Sequence, residues 1–275
     1  ALLQIPGVMI GEAEVRSYPY GEKAAHLTGY IGAITAEELE ALKNEGDYRE
    51  TSIVGKGGLE KVFDRQLRGK DGGTITVSDT SSDGIKTSRV LCESSPVRGF
   101  DVQTTIDTGL QTALYDQLAG DKSAAAAVNP KTGAVLALVS TPSYNPNTFI
   151  LGMSDAERDS LNRNPDNPLL NRFEKAYAPG ELIQPVTLGA GVKTSEAYAE
   201  QLKKLGFGES LPFDFSMEAS KISESGTVDS DLAAAGSGTT GMAASPLHLA
   251  LIYSALVNGG NMVEPYIKYD ANPMV

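Results

Sequence analysis

The segment Ser123-Ala-Ala-Ala-Ala-Val-Asn-Pro-Lys-Thr-Gly-Ala-Val-Leu-Ala-Leu-Val-Ser140 carries the clearest structural signal in the sequence. A run of small residues ends at Val128, a turn sequence follows, and a second apolar run begins at Ala134. Asn, Pro and Gly are typical turn residues, and Gly133 fits the positive φ that closes such a turn. The segment therefore predicts an antiparallel β-hairpin.

Capping residues predict helices on both sides of this hairpin. Asp107 stands at the N-cap of one helix. The predicted buried face of that helix consists of Leu110, Ala113, Leu114 and Leu118. Ser245 followed by Pro246 predicts the start of a second helix, over 246–257.

Three further segments favour helices. Ser154-Asp-Ala-Glu157 is a capping box. Residues 182–192 follow Pro179-Gly180 and can be helical, and residues 195–205 form an amphipathic pattern that ends at Gly206. Together with the hairpin, these segments predict an α/β fold of the α+β type, with an antiparallel sheet flanked by helices.

The first hundred residues have a different pattern, of short strands, one helix and frequent glycine turns. Thr35-Ala-Glu-Glu38 is a capping box that predicts a helix to about Asn44. Residues 69–84 predict an exposed hairpin or loop, and Ser94–Gly99 a linker. Residues 102–106 then alternate as in a strand. We therefore expect a β-rich N-terminal domain, residues 1–99, and a second domain, residues 100–275.

Composition excludes several classes of function. The formal net charge is −12, which opposes binding to nucleic acid, and we predict no nucleic-acid partner. Cys92 is the single cysteine, so an intrachain disulfide is impossible, and we predict no metal and no cofactor. The sequence contains no run of the roughly 18 apolar residues that a membrane span requires. If the native protein is anchored, its anchor is absent from this chain.

Several segments, in this order, resemble class B penicillin-binding proteins. In the N-terminal domain they are Arg16-Ser-Tyr-Pro-Tyr-Gly21, Ala24–Gly32 and Gly57–Gly69. In the second domain they are Arg98–Asp107, Asn129–Ala137, Pro142–Asn147 and Ser245–Ala250 with Asn258–Asn261. The resemblance implies a non-catalytic N-terminal pedestal and an incomplete transpeptidase domain.

The resemblance also implies which residues should perform the chemistry. In the family a serine attacks a D-alanine carbonyl of the peptide stem, and a lysine three residues later accepts its proton. The matching segment here is Tyr177-Ala-Pro-Gly-Glu-Leu-Ile-Gln-Pro-Val-Thr187. Glu181 stands at the nucleophile position and Gln184 at the base position. A glutamine amide cannot act as a base at neutral pH, so no catalytic pair is intact.

The other two motifs of the family are also missing. The stretch that should contain Ser-x-Asn is collapsed, because Ala190–Lys193 runs almost directly into the helix that ends before Gly206. The Lys-Thr-Gly motif belongs beyond the Ser245 helix, where the chain stops. Lys131-Thr132-Gly133 matches this motif in letters only, because it precedes the nucleophile position and lies inside the hairpin turn.

Other polar residues could form sites, but each has a simpler structural interpretation. Glu181 and Gln184 could be a new acid/base pair on one helix face, although loss of function is favoured. His26 is expected to brace the pedestal by hydrogen bonds, and His248 to be a core or interface residue.

Acidic and glycine-rich segments have simpler interpretations too. Glu60 and Asp64 could chelate an ion, although salt bridges with Lys61, Arg65 and Arg68 are favoured. Asp79, Ser81, Ser82 and Asp83 lack calcium-loop spacing, and the glycine pairs 57–58 and 72–73 lack phosphate-loop spacing.

Three functions remain open. The chain derives from a peptidoglycan transpeptidase that has been altered or truncated, or it is a naturally inactive envelope scaffold, or it is an unrelated hydrolase, which the absence of a Ser/His/Asp or Ser/Lys set disfavours. By resemblance, the partners are the peptidoglycan stem peptide, β-lactams and cell-wall synthesis proteins that bind the N-terminal domain. The expected location is the extracytoplasmic face of the bacterial membrane.

Overall fold

The N-terminal part of the chain is built from short helices and two antiparallel strand pairs. The structure is a computed structural model that describes residues 15–46, 48–80, 86–189, 195–222 and 242–269. The helices are α1 (Ala25–Thr28), α2 (Ala36–Leu42), α3 (Gly58–Val62) and α4 (Asp64–Arg68), with a 3-10 helix at Gly21–Ala24. The strands are β1 (Ile31–Ala33), β2 (Ile53–Gly55), β3 (Gly73–Thr80) and β4 (Lys86–Ser94). β1 pairs with β2 and β3 with β4.

The second part contains the predicted hairpin and the helices around it. The strands are β5 (Ser123–Val128), β6 (Val135–Thr141), β7 (Lys221–Ile222) and β8 (Met242–Ala243). The helices are α5 (Thr108–Leu118), α6 (Asn147–Leu151), α7 (Asp155–Arg163), α8 (Gln184–Gly189), α9 (Ser195–Lys204) and α10 (Pro246–Val257). The predicted α+β class, with an antiparallel hairpin flanked by helices, is confirmed. Among the described residues, no helix has the length and apolar character needed to cross a membrane.

The local signals of the sequence place these elements correctly. Thr35 and Ser154 form the predicted capping boxes, and the side chains of Asp107 and Ser245 cap α5 and α10. Gly133 closes the β5–β6 turn at φ +82°. A Cβ atom at Gly133 would lie 2.0 Å from the carbonyl oxygen of Glu264, so the turn also needs glycine for space.

Three predictions of local structure need correction. Residues 102–106 form one β-bridge, Thr104 with Lys268, rather than a full strand, because their partner is a short stretch at the end of the described chain. The predicted linker is held in place, since Val97 exchanges two backbone hydrogen bonds with Lys70. The buried residues of α5 are Gln111 and Tyr115, whereas Ala113 is exposed.

The two edges of the β5–β6 hairpin differ. Along β6, Gln111 Oε1 accepts a hydrogen bond from the backbone N–H of Leu138 at 2.9 Å, and Gln111 Nε2 donates to the carbonyl of Leu138 at 2.9 Å. The Leu136 carbonyl and Val135 N–H are bound by backbone groups of Asp107 and Tyr266. β5 pairs only with β6 in the part of the chain that the structure describes. The sheet can therefore be extended at β5 alone.

The main hydrophobic core joins the hairpin to α10 and to the N-terminal part. Its fully or almost fully buried members are Leu27, Val135, Leu138, Phe173, Phe215, Leu247, Leu251 and Ile267. Leu27 belongs to α1, so one helix of the N-terminal part contributes to the core of the second. Hydrogen bonds reinforce this contact, because the Asn147 side chain binds both the N–H and the carbonyl of Tyr18 at 2.9 Å.

His26 lies in an aromatic cluster at this contact. Its ring meets Tyr144 edge to face at 5.1 Å, and Tyr30 stacks on Phe149 at 4.1 Å. His26 is buried, and its Nε2 has no hydrogen-bond partner of acceptable geometry among the described residues. His26 therefore has a structural role, as predicted. It acts through its ring contact with Tyr144, and its Nε2 does not make the expected hydrogen bond with any described residue.

Burial of His26 predicts a pH-dependent stability. Desolvation lowers the pKa of His26 to about 4 against a slight opposing effect of the Pro142 and Pro168 carbonyls. Between pH 6.5 and about 4 the unfolded state therefore binds the proton more readily than the folded state, so stability falls as pH falls through this window. The loss should approach about 3 kcal/mol below pH 4.

Urea unfolding at several pH values measures this dependence. In His26→Gln the pH dependence that remains comes from other groups, including His248, which titrates in both proteins. The difference between the two curves isolates His26. Parallel curves for the two proteins between pH 4 and 6.5 would contradict the assignment.

Candidate functional site

The turn at Pro179-Gly180 places residue 181 at the start of a helix. Gly180 adopts φ +56°, which favours glycine, and a 3-10 helix over Gly180–Ile183 continues directly into α8. Ile183 is fully buried and anchors the turn in a second core cluster. Glu181 and Leu182 are exposed at the surface of this turn.

Neighbouring segments hold the turn on both sides. Tyr177 and Ala244 exchange two backbone hydrogen bonds, of 3.0 and 2.8 Å. The Tyr253 hydroxyl, on α10, donates to the carbonyl oxygen of Leu182 at 2.6 Å. The helix start at Gly180 is therefore formed and braced on both sides, and its first exposed residue is Glu181.

Glu181 and Gln184 lie one turn apart at this helix start. In a 3-10 turn, side chains at i and i+3 are eclipsed, so the two residues share a face, as predicted. Glu181 is exposed and Gln184 is half-buried. A solvated carboxylate is a weak nucleophile, and an amide cannot take up a proton at neutral pH. Neither side chain offers the nucleophile or the base that acyl transfer to an enzyme uses.

A groove of about 690 Å³ lies beside this turn, between β5 and α10. Its apolar and aromatic lining includes Ala124, Ala126, Leu182, Leu249 and Tyr253. The unpaired edge of β5 forms one side. The groove therefore has room beside a strand that still has backbone groups to pair.

Arg172 lines the same groove and was not identified from the sequence. Its buried guanidinium donates to the backbone carbonyls of Asp166, Asn167 and Leu170 at 2.5 to 3.3 Å. Asn167 has φ +46°, an unusual conformation for a residue other than glycine. Arg172 thus holds the turn that leads to Tyr177. The sequence feature that could have identified Arg172 is its position as a single arginine shortly after the turn-rich segment Asn164-Pro-Asp-Asn-Pro168.

His248 is the predicted core residue. Its Nε2 lies 2.7 Å from the carbonyl oxygen of Leu205, which can only accept, so Nε2 carries the proton. Nδ1 then accepts from the hydroxyl of Ser220 at 2.5 Å. Burial lowers the pKa of His248, which keeps the ring neutral. The residue joins α10 to the segments after α9 and is not a free base.

The Lys131-Thr132-Gly133 segment is a structural turn. Asn129 Oδ1 accepts from the backbone N–H groups of Lys131 and Thr132, and Thr132 Oγ1 accepts from that of Ala134. Its hydrogen bonds are those of a hairpin connection. The segment closes the end of β5 opposite to Ser123, which lines the groove.

The acidic pair in the N-terminal part forms ion pairs, with one unexpected partner. Glu60 binds Arg16 through both oxygens, at 2.6 and 3.0 Å, rather than Lys61. Asp64 lies 3.7 Å from Arg68 and accepts from Gly55 N–H at 2.8 Å. The sequence could not predict Arg16 as the partner, because folding brings it across 44 residues.

The remaining candidates from the sequence are a metal site, the loop at 79–83 and the two glycine pairs. Within the described ranges, no group of three or more His, Cys, Asp and Glu side chains could hold a metal ion. Asp79 is exposed on β3, and Ser81, Ser82 and Asp83 lie outside the described residues. In each glycine pair one member is closely packed: a Cβ on Gly58 would lie 2.4 Å from Gly29 N, and one on Gly72 would lie 2.7 Å from Pro96.

Two family models match the chain. Residues 1–104 match the penicillin-binding protein dimerisation domain. Residues 123–195 and 193–272 match the penicillin-binding protein transpeptidase domain in two segments. These matches, with a helix start preceded by Pro-Gly beside an open sheet edge, define a transpeptidase-type protein with an N-terminal accessory region.

Relatives and solved structures agree with this class. Penicillin-binding protein 3 of Bacillus subtilis is 37% identical over 97% of this chain and 48% of its own length. Peptidoglycan D,D-transpeptidase MrdA of Acinetobacter baumannii is 38% identical over 69% of this chain and 28% of its own length. The chain thus spans less than half the length of these relatives.

Solved structures share the fold. The complex of PBP2 with MreC from Helicobacter pylori aligns with a TM-score of 0.77 and 21% identity, over 99% of this chain and 62% of that one. Pseudomonas aeruginosa PBP2 in complex with WCK 5153 aligns with a TM-score of 0.75 and 25% identity, over 95% and 68%. The chain belongs to the penicillin-binding protein family, and within it to class B.

The transpeptidase match is divided just after α8, where the sequence predicts a shortened stretch. The two segments of the transpeptidase match meet at residues 193–195. The alignment with the Bacillus subtilis relative extends over 329 residues, more than the 275 of this chain. The relative therefore has residues within the aligned region that this chain lacks. Ala190–Lys193, where the sequence predicted the collapse, lies outside the described residues.

Proposed function

We propose that this chain keeps the scaffold of a peptidoglycan transpeptidase and lacks its acyl-transfer activity. The observation that carries the proposal is Glu181 at the braced helix start, with Gln184 one turn later. An acyl-enzyme needs an alkoxide or thiolate nucleophile and a base that accepts its proton. This helix start presents neither. The internal shortening of the transpeptidase match near residue 193 supports the same proposal.

Two origins are compatible with such a scaffold. In one, an active transpeptidase has been altered and shortened; in the other, the protein is a naturally inactive envelope scaffold. The sequence of the intact parent gene separates them. Serine and lysine at positions 181 and 184 would indicate alteration, whereas glutamate and glutamine would indicate natural loss of activity.

The proposed ligands and location follow from the family. A peptidoglycan stem peptide and β-lactams are the proposed ligands of the second domain, and a cell-wall synthesis protein is the proposed partner of the first. The Helicobacter pylori relative forms a complex with MreC, which supports a partner of this kind. The proposed location is the extracytoplasmic face of the bacterial membrane.

We expect no covalent labelling by a fluorescent penicillin. Ring opening of a β-lactam by the enzyme needs a serine at position 181, which this chain does not have. The chain is incubated with the reagent, denatured by heat and separated by electrophoresis, beside a penicillin-reactive transpeptidase as the positive control. A heat-stable band at the mass of this chain would show another nucleophile and contradict the proposal.

We also propose that residues 1–99 and 100–275 are separate domains, and the end of the first family match at residue 104 supports a boundary near this position. Limited proteolysis should then cut first near Ser94–Gly99 or within residues 69–84, because every residue of β3 and residues 87–94 of β4 are exposed. The β5–β6 hairpin should resist longer, because β6 is buried. Mass spectrometry of the early fragments locates the cuts. Early cleavage inside 123–141 would contradict the division.

A further inference from the structure

The β3–β4 hairpin exposes apolar side chains on two strands. Every residue of β3 is exposed, as are residues 87–94 of β4. Ile75, Val77 and Val90 expose 63%, 48% and 55% of their surface. A two-stranded hairpin without further packing is only marginally stable in water, and a third or fourth strand stabilises it. An additional strand would therefore cover these apolar side chains and stabilise the hairpin.

The two edges of this hairpin differ in how they resist pairing. β4 carries Arg89 and Glu93, and Leu91 is an extra residue that bulges between the partners of Ile75 and Thr76. Charges and bulges are the features that protect edge strands. β3 has no bulge of its own, and Thr74-Ile-Thr-Val77 is an unbroken run of β-branched residues. Of the two, β3 is the edge that is open to pairing.

We propose that β3 pairs antiparallel with β3 of a second copy of this chain. The two hairpins would form one four-stranded sheet, in the order β4, β3, β3 and β4, about a twofold axis through Thr76. The family model over residues 1–104 is described as a dimerisation domain, and this description assigns no surface. The proposal identifies one, and it does not depend on the proposed loss of catalysis.

Symmetry and charge together select this register. With the twofold axis perpendicular to the sheet, opposite residues lie on the same face, so one residue of β3 must lie on the axis. An axis at Ile75 would place Asp71 opposite Asp79 of the other copy, where the two carboxylates repel. An axis at Val77 would place Ile75 opposite Asp79.

An axis at Thr76 avoids both conflicts. It places Ile75 opposite Val77 of the other copy, and symmetry repeats this pair. No like charges face each other, because Asp79 lies opposite Gly73. Inside each hairpin Cys92 pairs with Ile75 and Arg89 with Val77, so each apolar pair is flanked by Cys92 on one outer strand and by the aliphatic stem of Arg89 on the other.

The expected dimer is weak. Pairing of two strands buries less than the roughly 1,200 Å² of stable interfaces. We therefore expect reversible association that grows with protein concentration. Sedimentation velocity over a concentration series measures it directly.

Engineered cysteines test the register. In a Cys92→Ser background, Thr76→Cys places two thiols opposite each other on the axis, where cross-strand Cβ atoms lie about 5 Å apart. The control Ser78→Cys in the same background faces Thr74, and its two thiols are roughly 13 Å apart along the strands. Under mild oxidation, non-reducing electrophoresis should show covalent dimer for the first variant at least about tenfold faster than for the second. Equal rates would overturn the register.

Charge variants test the edge. Val77→Lys should weaken association about tenfold, because it removes two apolar cross-strand pairs. Ile75→Glu combined with Val77→Lys places opposite charges face to face and should restore it. The control Thr87→Lys adds the same charge on the outer strand β4 and should change little. A wild-type chain that remains monomeric at its highest soluble concentration, or equal weakening by Val77→Lys and Thr87→Lys, would overturn the proposal.

Discussion

Replacing Gln111 with Leu is expected to lower the free energy of unfolding by about 4 kcal/mol, a large part of the stability of an ordinary domain. Gln111 is 3% exposed. It makes three hydrogen bonds of 2.9 to 3.0 Å, two to the backbone of Leu138 and one to the carbonyl of Lys23. Leucine fills a similar volume but removes the partner of two buried backbone groups of Leu138 and of the half-buried carbonyl of Lys23. Such groups cost more than the net value of the bonds themselves.

The loss of the Gln111 side chain should destabilise more than the helix α5. Gln111 closes the outer edge of β6, so its loss opens a second edge of a hairpin whose first edge, along β5, is paired by no described segment. It also joins the second part of the chain to Lys23 in the N-terminal part. We therefore expect greater aggregation on heating in addition to the lower stability.

Urea unfolding followed by circular dichroism measures the change. The matched control is Gln117→Leu, the same substitution at an exposed position of the same helix, which should change the free energy of unfolding by less than about 0.5 kcal/mol. If the two variants unfold at the same urea concentration, the side chain of Gln111 does not close the edge.

Glu181→Ser combined with Gln184→Lys is expected not to restore the enzyme. The double variant rebuilds a nucleophile and a base on one turn of a helix start that is already braced by Tyr253 and by the Tyr177–Ala244 pair. The substitutions do not supply the Ser-x-Asn motif of the family, which is absent from residues 185–205. Residues of one catalytic unit act non-additively, so a partial set contributes little.

The open edge of β5 gives a second reason for this expectation. Within the described residues no strand pairs with β5, and the groove beside it is about 690 Å³. An acyl donor beside a strand edge that no described segment pairs is held less firmly in one orientation, and orientation accounts for much of the rate of acyl transfer.

We therefore expect no D,D-transpeptidase turnover and at most slow, substoichiometric labelling by fluorescent penicillin. Intact-mass spectrometry after incubation measures the acylated fraction. The single variant Glu181→Ser, which has no base, is the matched control, and the double variant should react at a similar rate. Rapid stoichiometric acylation of the double variant would contradict the prediction and show that the existing cleft suffices.

The sequence by itself determined the local elements and the identity of the residues at the site. Caps at Thr35, Asp107, Ser154 and Ser245, and the turn at Gly133, depend on contacts within a few residues, so their patterns are visible in the chain. The absence of a serine and a lysine at 181 and 184 is likewise a property of the sequence alone.

The tertiary structure decided which polar residues are buried and what they bind. Gln111 takes the buried face of α5 in place of Ala113, because the backbone of Leu138 needs partners there. Glu60 pairs with Arg16, and the ring of His26 meets Tyr144, across distances in sequence that no local pattern covers. The closed edge of β6 and the open edge of β5 have the same origin. Hydrogen bonds between distant segments depend on how the elements pack, whereas caps and turns depend on neighbouring residues.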